Sequence, residues 1–369
     1  MSFVTAQSPQ TPVKVIGIYT ASINHFIETV IYWLTSSQEI KVLLITPSMS
    51  QGGEHPWCLK RIHQYSTETG NLLVEVIDPS SQAQQTDYLH ISLSGKTPLF
   101  KWQLNRWVLK ANNIGLLSHS DYKSLKQSFK ELAYGFPYYF TAKSILFQIS
   151  TQDWHPYFFI QQQSFYSPTV HPQLIVNPEY RSLAFDSEIA SKKRNFKFLF
   201  LGNRNPIERM QALQNIKQKL DEIANPIYFE KYAVYPQVSL DRTNLLWLEY
   251  GDESSQRGLK PPEYLSALHQ TDFCICPLGW GGNWTHRVIE AILCGAIPIL
   301  EDEGRYNIGL VHLENCIVVK HNDWQTAVEQ VCKLDSEKII AMRLRLKQLK
   351  EQCLLPQKAS CRLRESVGL

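Results

Sequence analysis

The chain has 369 residues, 44% hydrophobic, 11% aromatic and 19% charged, a balance that excludes a disordered protein and suits two packed domains better than one small core. Its formal net charge is only +3 and no dense Lys/Arg run occurs, which argues against a surface built to follow the phosphates of a nucleic acid. Eight scattered cysteines form no CxxC pair, so neither a zinc site nor a redox couple is expected.

The first dozen residues carry no charged segment followed by an apolar core, and no apolar run approaches the ~20 residues that cross a bilayer. A cytoplasmic protein with reduced thiols and no transmembrane segment is expected, which leaves room for peripheral membrane contact. In that compartment the sequon Asn283-Trp284-Thr285 carries no glycan.

Val13 to Tyr19 reads as a buried strand, Asn24 to Leu34 as a helix and Ile40 to Ile45 as a second strand, so the chain opens as a parallel sheet. Gln51 to Lys60 forms a loop with Gly52, Gly53 and Pro56, and Leu72 to Ile77 is a further strand. Ser80 to Leu104 is polar and weakly patterned, without a definite element. Asn113 to Leu117 is a strand running into Ser118, His119, Ser120 and Asp121, where Ser120 or Asp121 can cap a helix reaching Leu132. Ser144 to Gln148 is the last strand of this half, and Asp153 to Ala190, rich in Gln, Pro and Tyr, reads as irregular connection.

A second strand-and-helix series begins with Phe196 to Leu201, followed by a turn at Gly202, Asn203 and Arg204 and a helix from Pro206 to about Ile223. Ile227 to Tyr232 is a short strand and Pro261 to His269 a helix. Next comes DFCICPLGWGGNWTHRVIEAILCGAIPILED, spanning Asp272 to Asp302. It opens with a strand to Cys276 and a loop holding Gly279, Gly281 and Gly282. A helix follows, capped by Asn283 or Thr285 and stopped by Gly295, and then a buried strand, Ile297 to Leu300. Such a unit sets backbone N–H groups and a helix N-terminus at the carboxyl end of a parallel strand, where phosphate is favoured. Arg287, in the first helical turn, suits a diphosphate, and Glu290, one turn on, suits sugar hydroxyls. The alternative is an ordinary packing unit with Arg287 and Glu290 paired on a solvated face. Cys316 to Val319 is a strand and Asn322 to Val331 a helix capped by Asn322 or Asp323. Ile339, Met342, Leu346, Leu349 and Cys353 mark the apolar stripe of a final helix.

The residues Pro277, Gly279, Arg287, Glu290, Ala291, Gly295, Ile297 and Pro298 resemble the C-terminal motif of exostosin-like glycosyltransferases, over about thirty residues. Gly202 and Arg204 resemble the Gly-x-Arg after the first strand of that family's donor domain. The loop Trp280 to Trp284 departs by being richer in glycine. The resemblance implies an α/β fold of two facing Rossmann-like domains (GT-B type), with the C-terminal helix packing back on the N-terminal domain. Residues 1–160 would then form the acceptor-side domain, 161–195 a connection, 196–334 the nucleotide-sugar-binding domain and 335–369 the terminal helix and tail.

It implies transfer of a sugar from a nucleotide-sugar donor, with UDP favoured, to a hydroxyl of a glycan or small molecule. No metal or other cofactor is expected, since the second half has no DxD triplet. The donor side would be Gly202, Asn203, Arg204, Gly279, Gly281, Gly282, Asn283, Arg287, Glu290 and Asp302, with His286 at best a second phosphate donor. If configuration inverts, the N-terminal half must supply a base, and His25 or His119 with Asp121 are the candidates, ahead of Glu54, His55 and Asp153. Polar loop or helix-capping roles remain the alternative for each histidine. The competing functions are a nucleotide-sugar epimerase or hydrolase of the same fold, and a non-catalytic nucleotide-sugar-binding protein.

Overall fold

Six parallel strands form the first sheet of the computed structural model, in the order β3-β2-β1-β4-β5-β6. They are β1 (Lys14–Tyr19), β2 (Ile40–Ile45), β3 (Leu73–Ile77), β4 (Tyr88–Ser92), β5 (Ile114–Ser118) and β6 (Ala142–Phe147), with helices α1 (His25–Thr35) and α2 (Lys101–Val108). The structure describes residues 14–20, 25–35, 40–46, 60, 62, 73–92, 101–118, 142–147, 194–203, 207–223, 228–229, 245–250, 261–278, 285–303, 306, 308–355, 358 and 361. The strand order reverses between β1 and β4, and in an open parallel sheet that reversal leaves a crevice beyond the carboxyl ends of the two strands.

The second sheet is also parallel, in the order β12-β11-β10-β7-β9-β8, and its reversal lies between β7 and β10. Its strands are β7 (Phe196–Asn203), β8 (Tyr228–Phe229), β9 (Leu245–Tyr250), β10 (Thr271–Ile275), β11 (Ile297–Leu300) and β12 (Ile317–Val318). With them come α3 (Ile207–Ile223), α4 (Pro261–His269), α5 (His286–Leu293), α6 (Trp324–Cys332) and α7 (Ser336–Leu349).

Among the described residues the continuous apolar strands lie close to where the sequence puts them, while the helix expected from Ser120 or Asp121 to Leu132 and the connection Asp153 to Ala190 lie outside the described residues. Thr285 caps α5 and Asp323 caps α6. Two predictions are corrected. The turn at Gly202 and Asn203 is strand instead, since both residues pair with β9 at Glu249 and Tyr250. The unassigned stretch from Ser80 to Leu104 holds all of β4 and the start of α2. Strand β4 is buried along its whole length although His90 and Ser92 interrupt its apolar pattern.

Helix α7 buries the expected stripe of Ile339, Met342, Leu346 and Leu349. Its polar anchors hold it to the second domain: Arg343 pairs with Asp272 at 2.8 Å, and just beyond the helix Lys350 Nζ donates to the Leu293 carbonyl at 2.9 Å. The stripe and Leu354 belong to one buried apolar cluster that also holds Ile27, Val30 and Ile31 of α1, while the helix itself packs on α5 and β11 of the second domain.

His90 is fully buried, stacked on Tyr88 with ring centroids 4.9 Å apart, and among the described residues neither ring nitrogen has a hydrogen-bond partner. Burial pushes its pKa down to about 3, so it stays neutral in the fold while the unfolded chain titrates near about 6.5. Because only the unfolded state takes up the proton in that window, His90 withdraws stability as pH falls below about 6.5 and has no effect above it. At pH 5 the loss is about 2 kcal/mol. Denaturant titrations at pH 7.5 and pH 5 should show His90→Leu losing less stability over this interval than the parent by about that amount, and equal losses would contradict a buried neutral imidazole.

Candidate functional site

The site is built on α5, whose residues from Val288 to Leu293 are all buried. A helix enclosed in this way has its N-terminus fixed by packing rather than by propensity. That N-terminus stands close to the reversal between β7 and β10, and Arg287 in its first turn reaches across to β7. The Arg287 Nε donates to the Leu201 carbonyl at 2.9 Å, Nη1 lies 3.5 Å from the Thr285 hydroxyl, and the guanidinium carbon sits 5.3 Å from the centre of the Phe200 ring.

Gly202 makes this contact possible. A Cβ there would lie 1.7 Å from Arg287 Nη2 and 2.6 Å from Cζ, and the residue holds φ +156°. The guanidinium therefore occupies the space of the missing side chain.

The segment before α5 is anchored at both ends. The Leu278 N–H donates to Glu301 Oε2 at 3.1 Å, and the Leu278 carbonyl accepts from Arg209 Nε at 2.8 Å. At the other end the Thr285 N–H donates to the Tyr306 hydroxyl at 3.3 Å. Arg209, 5% exposed on α3, was not foreseen as part of the site. Its one sequence signal is a charge among the residues that α3 turns inward, and Tyr306 gives no signal in a polar stretch.

Glu290 is not on a solvated face, since only 7% of it is exposed. Its Oε2 accepts from the Tyr264 hydroxyl of α4 at 2.7 Å. Burial raises the carboxyl pKa above its ordinary value, against the opposing pull of the Tyr264 hydrogen bond and the Arg287 charge. The Tyr264 phenol is pushed well up by burial and by the Glu290 carboxylate, so it remains a neutral donor.

Asp302 is half-buried just beyond β11, and His286 is half-buried as the first residue of α5. His25 is the first residue of α1 and Asn203 the last of β7, but their side chains are outside the described residues. So are His119, Asp121, Arg204, Gly279, Gly281, Gly282 and Asn283, together with the outside candidates Glu54, His55 and Asp153. Among the described residues the structure thus brings together Gly202, Arg287 and, through α5, Glu290. Also among them, no group of three or more His, Cys, Asp or Glu is gathered as for a metal ion, and no helix is long and apolar enough to cross a membrane.

No family model matches the chain. A 40-residue stretch is 42% identical to a probable glucuronosyltransferase of Oryza sativa subsp. japonica and 40% identical to a probable beta-1,4-xylosyltransferase of Arabidopsis thaliana. Each match spans 11% of this chain and only 9% of the length of the plant protein.

In fold the likeness extends over the whole chain. A glycosyltransferase from Rickettsia africae superposes with TM-score 0.58 at 10% identity, covering 97% of both chains. Anabaena HepE in complex with UDP gives 0.56 at 10% identity, covering 96% of this chain and all of the other. The N-terminal domain of trehalose-6-phosphate phosphatase from Candida albicans gives 0.57 at 12% identity, covering 99% of both. The fold is therefore α/β with two Rossmann-like domains, the GT-B arrangement. The chain is similar to glycosyltransferases in this architecture and in one short stretch of sequence.

Gly202→Ala should fold, because the atoms in the way are the mobile end of a side chain. The guanidinium must then swing off Leu201, costing about one hydrogen bond, roughly 0.5–1.5 kcal/mol, on top of the backbone strain of an L side chain held at φ +156°. Affinity for inorganic diphosphate, measured by calorimetry, should fall about as far as in Arg287→Ala, and an unchanged affinity would separate Gly202 from the anion site.

Proposed function

We propose that this protein is a metal-independent, exostosin-like glycosyltransferase that moves a sugar from a nucleotide diphosphate, UDP being favoured, to a hydroxyl of a glycan or small-molecule acceptor with inversion at the anomeric carbon. The observation that carries the reading is the Arg287 guanidinium held at the carboxyl ends of β7 and β10, beside the N-terminus of α5. The plant proteins matched over 40 residues are named as glucuronosyl- and xylosyltransferases, and the HepE structure holds UDP, which supports the same reading.

In this reaction the acceptor oxygen attacks the anomeric carbon while the bond from that carbon to the diphosphate oxygen breaks. The departing diphosphate gains charge, and Arg287, with Arg204 and the N-terminal dipole of α5, receives it. Backbone N–H groups of the segment holding Gly279, Gly281, Gly282 and Asn283 would line the phosphates, Glu290 would take the ribose and Asp302 the donor sugar. The acceptor proton passes to a base in the N-terminal domain. His25 is the first choice because α1 follows β1, one of the two strands that flank the reversal in that sheet, with His119 and Asp121 the second.

Arg287→Ala should weaken UDP binding by ~1.5–3 kcal/mol, the worth of a charged hydrogen bond, and cut the stabilisation that UDP at a hundred times the parental Kd gives from about 2.7 kcal/mol to roughly 0.3–1.3 kcal/mol. An unchanged UDP affinity in the folded variant would remove the donor site from this position. Sugar transfer should survive EDTA, and activity lost to the chelator and restored by Mn²⁺ would replace the proposed charge stabilisation with a metal-held diphosphate. Product anomers determined by NMR test the inversion. His25→Ala should lower kcat by ~10²–10⁴ with UDP affinity kept, whereas near-parental turnover would move the base to His119 or Asp121.

A further inference from the structure

Glu290 is the one charged residue in the buried run Val288 to Leu293, and it comes off the same helix as the arginine that marks the site. Its Oε2 is taken by the Tyr264 hydroxyl at 2.7 Å. A carboxylate oxygen has a second lone pair, and Oε1 accepts no other hydrogen bond among the described residues, so the group keeps acceptor capacity on the side away from Tyr264. A buried carboxylate with free rotation about its last torsion would lose much of its directional value, because that torsion is broad. The Tyr264 hydroxyl removes this freedom. Its ring is anchored on α4 against the apolar core, so it fixes the plane of the carboxylate as well as occupying one oxygen.

We infer that Tyr264 is a positioning residue for the nucleotide: it holds Glu290 so that the remaining acceptor sites face the ribose hydroxyls, and so sets the preference for a ribonucleoside diphosphate over one lacking those hydroxyls. The inference rests on the proposed nucleotide site. It goes further by assigning sugar discrimination to a residue 26 positions away from Glu290 that acts through it. The hydrogen bond also opposes the effect of burial on the Glu290 carboxyl, so without it that group takes up a proton at higher pH.

The test compares UDP with 2′,3′-dideoxy-UDP in the full chain, by calorimetry, between pH 5.5 and pH 8.5. The ratio of the two affinities cancels the ionisation of the phosphates and the contribution of Arg287, leaving the ribose contact. In Tyr264→Phe the ratio should fall about tenfold at pH 8, through weaker UDP binding with the dideoxy compound unchanged. The pH below which the ratio collapses should move upward, a displacement that loss of packing alone does not give. Glu290→Gln should lower the ratio and leave it flat with pH. Tyr264→Met, with the same expected result, stands in if the phenylalanine variant does not fold.

If Tyr264→Phe keeps the parental ratio and pH profile while Glu290→Gln loses both, the inference is overturned and the nucleotide site stands. Equal weakening of both nucleotides would overturn it in favour of a packing role. Should the parent protein bind UDP but show no preference over the dideoxy compound, Glu290 is not the ribose acceptor and the inference falls alone; if the parent binds no UDP, the proposed function falls with it.

Discussion

The contact between the Arg287 guanidinium and the backbone of β7 is the constraint on which the second domain's mouth depends. It joins the helix after β10 to the strand across the reversal, so two segments 86 residues apart in sequence hold one another in register. Glycine at 202 is the condition for it, since any Cβ would stand where the guanidinium lies. A charged side chain is thus fixed in place before any ligand arrives, through a carbonyl hydrogen bond and a ring face rather than through an acidic partner. Preorganised charge of this kind costs no reorganisation when an anion develops.

The electrostatics of α5 give the position a direction. A cation at a helix N-terminus opposes the macrodipole, while cations at the C-terminus are favoured. At the C-terminal end the structure follows the rule, with Lys350 donating to the Leu293 carbonyl and Arg194 donating to that of Cys294. Burial and the neighbouring Arg343 bring the Arg194 pKa down to about 10, still cationic near neutrality. Arg287 runs against the dipole. An arrangement that sets N–H groups and a guanidinium at the same point gathers positive potential there, which is unfavourable in the empty protein and favourable once an anion shares the space.

Much of this was legible in the sequence where one physical rule acted alone. Continuous apolar runs gave β1, β2 and β11, and Asp323 and Thr285 announced the helices they cap. The failures came where two rules competed. His90 and Ser92 break the apolar pattern of β4, yet the strand is enclosed on both faces because parallel strands are covered on both sides. Gly202 suggested a turn, because glycine is the commonest turn residue, but here it is a strand residue shaped by an arginine that no local window contains. For the site, Arg287 and Glu290 could be read from their spacing, but their different fates could not. Which residue is buried against Tyr264 and which is aimed at β7 depends on how α4 and β7 stand around α5, a tertiary matter.

That difference in fate also bears on how the two residues can divide the work. A guanidinium is cationic by its chemistry. Glu290 has no such security, because burial favours its neutral form and only the Tyr264 hydroxyl and the nearby guanidinium oppose this. The carboxylate is therefore sensitive to what binds beside it. A ligand that donates hydrogen bonds to Glu290 stabilises its ionised form, while one that brings negative charge against Arg287 weakens the attraction that helps to keep it ionised. A diphosphate and a ribose in the same molecule act on this pair in opposite senses, and the Tyr264 hydrogen bond is the contribution that does not change when the phosphates arrive. Its place is in α4, where the packing of α4 on α5 sustains it.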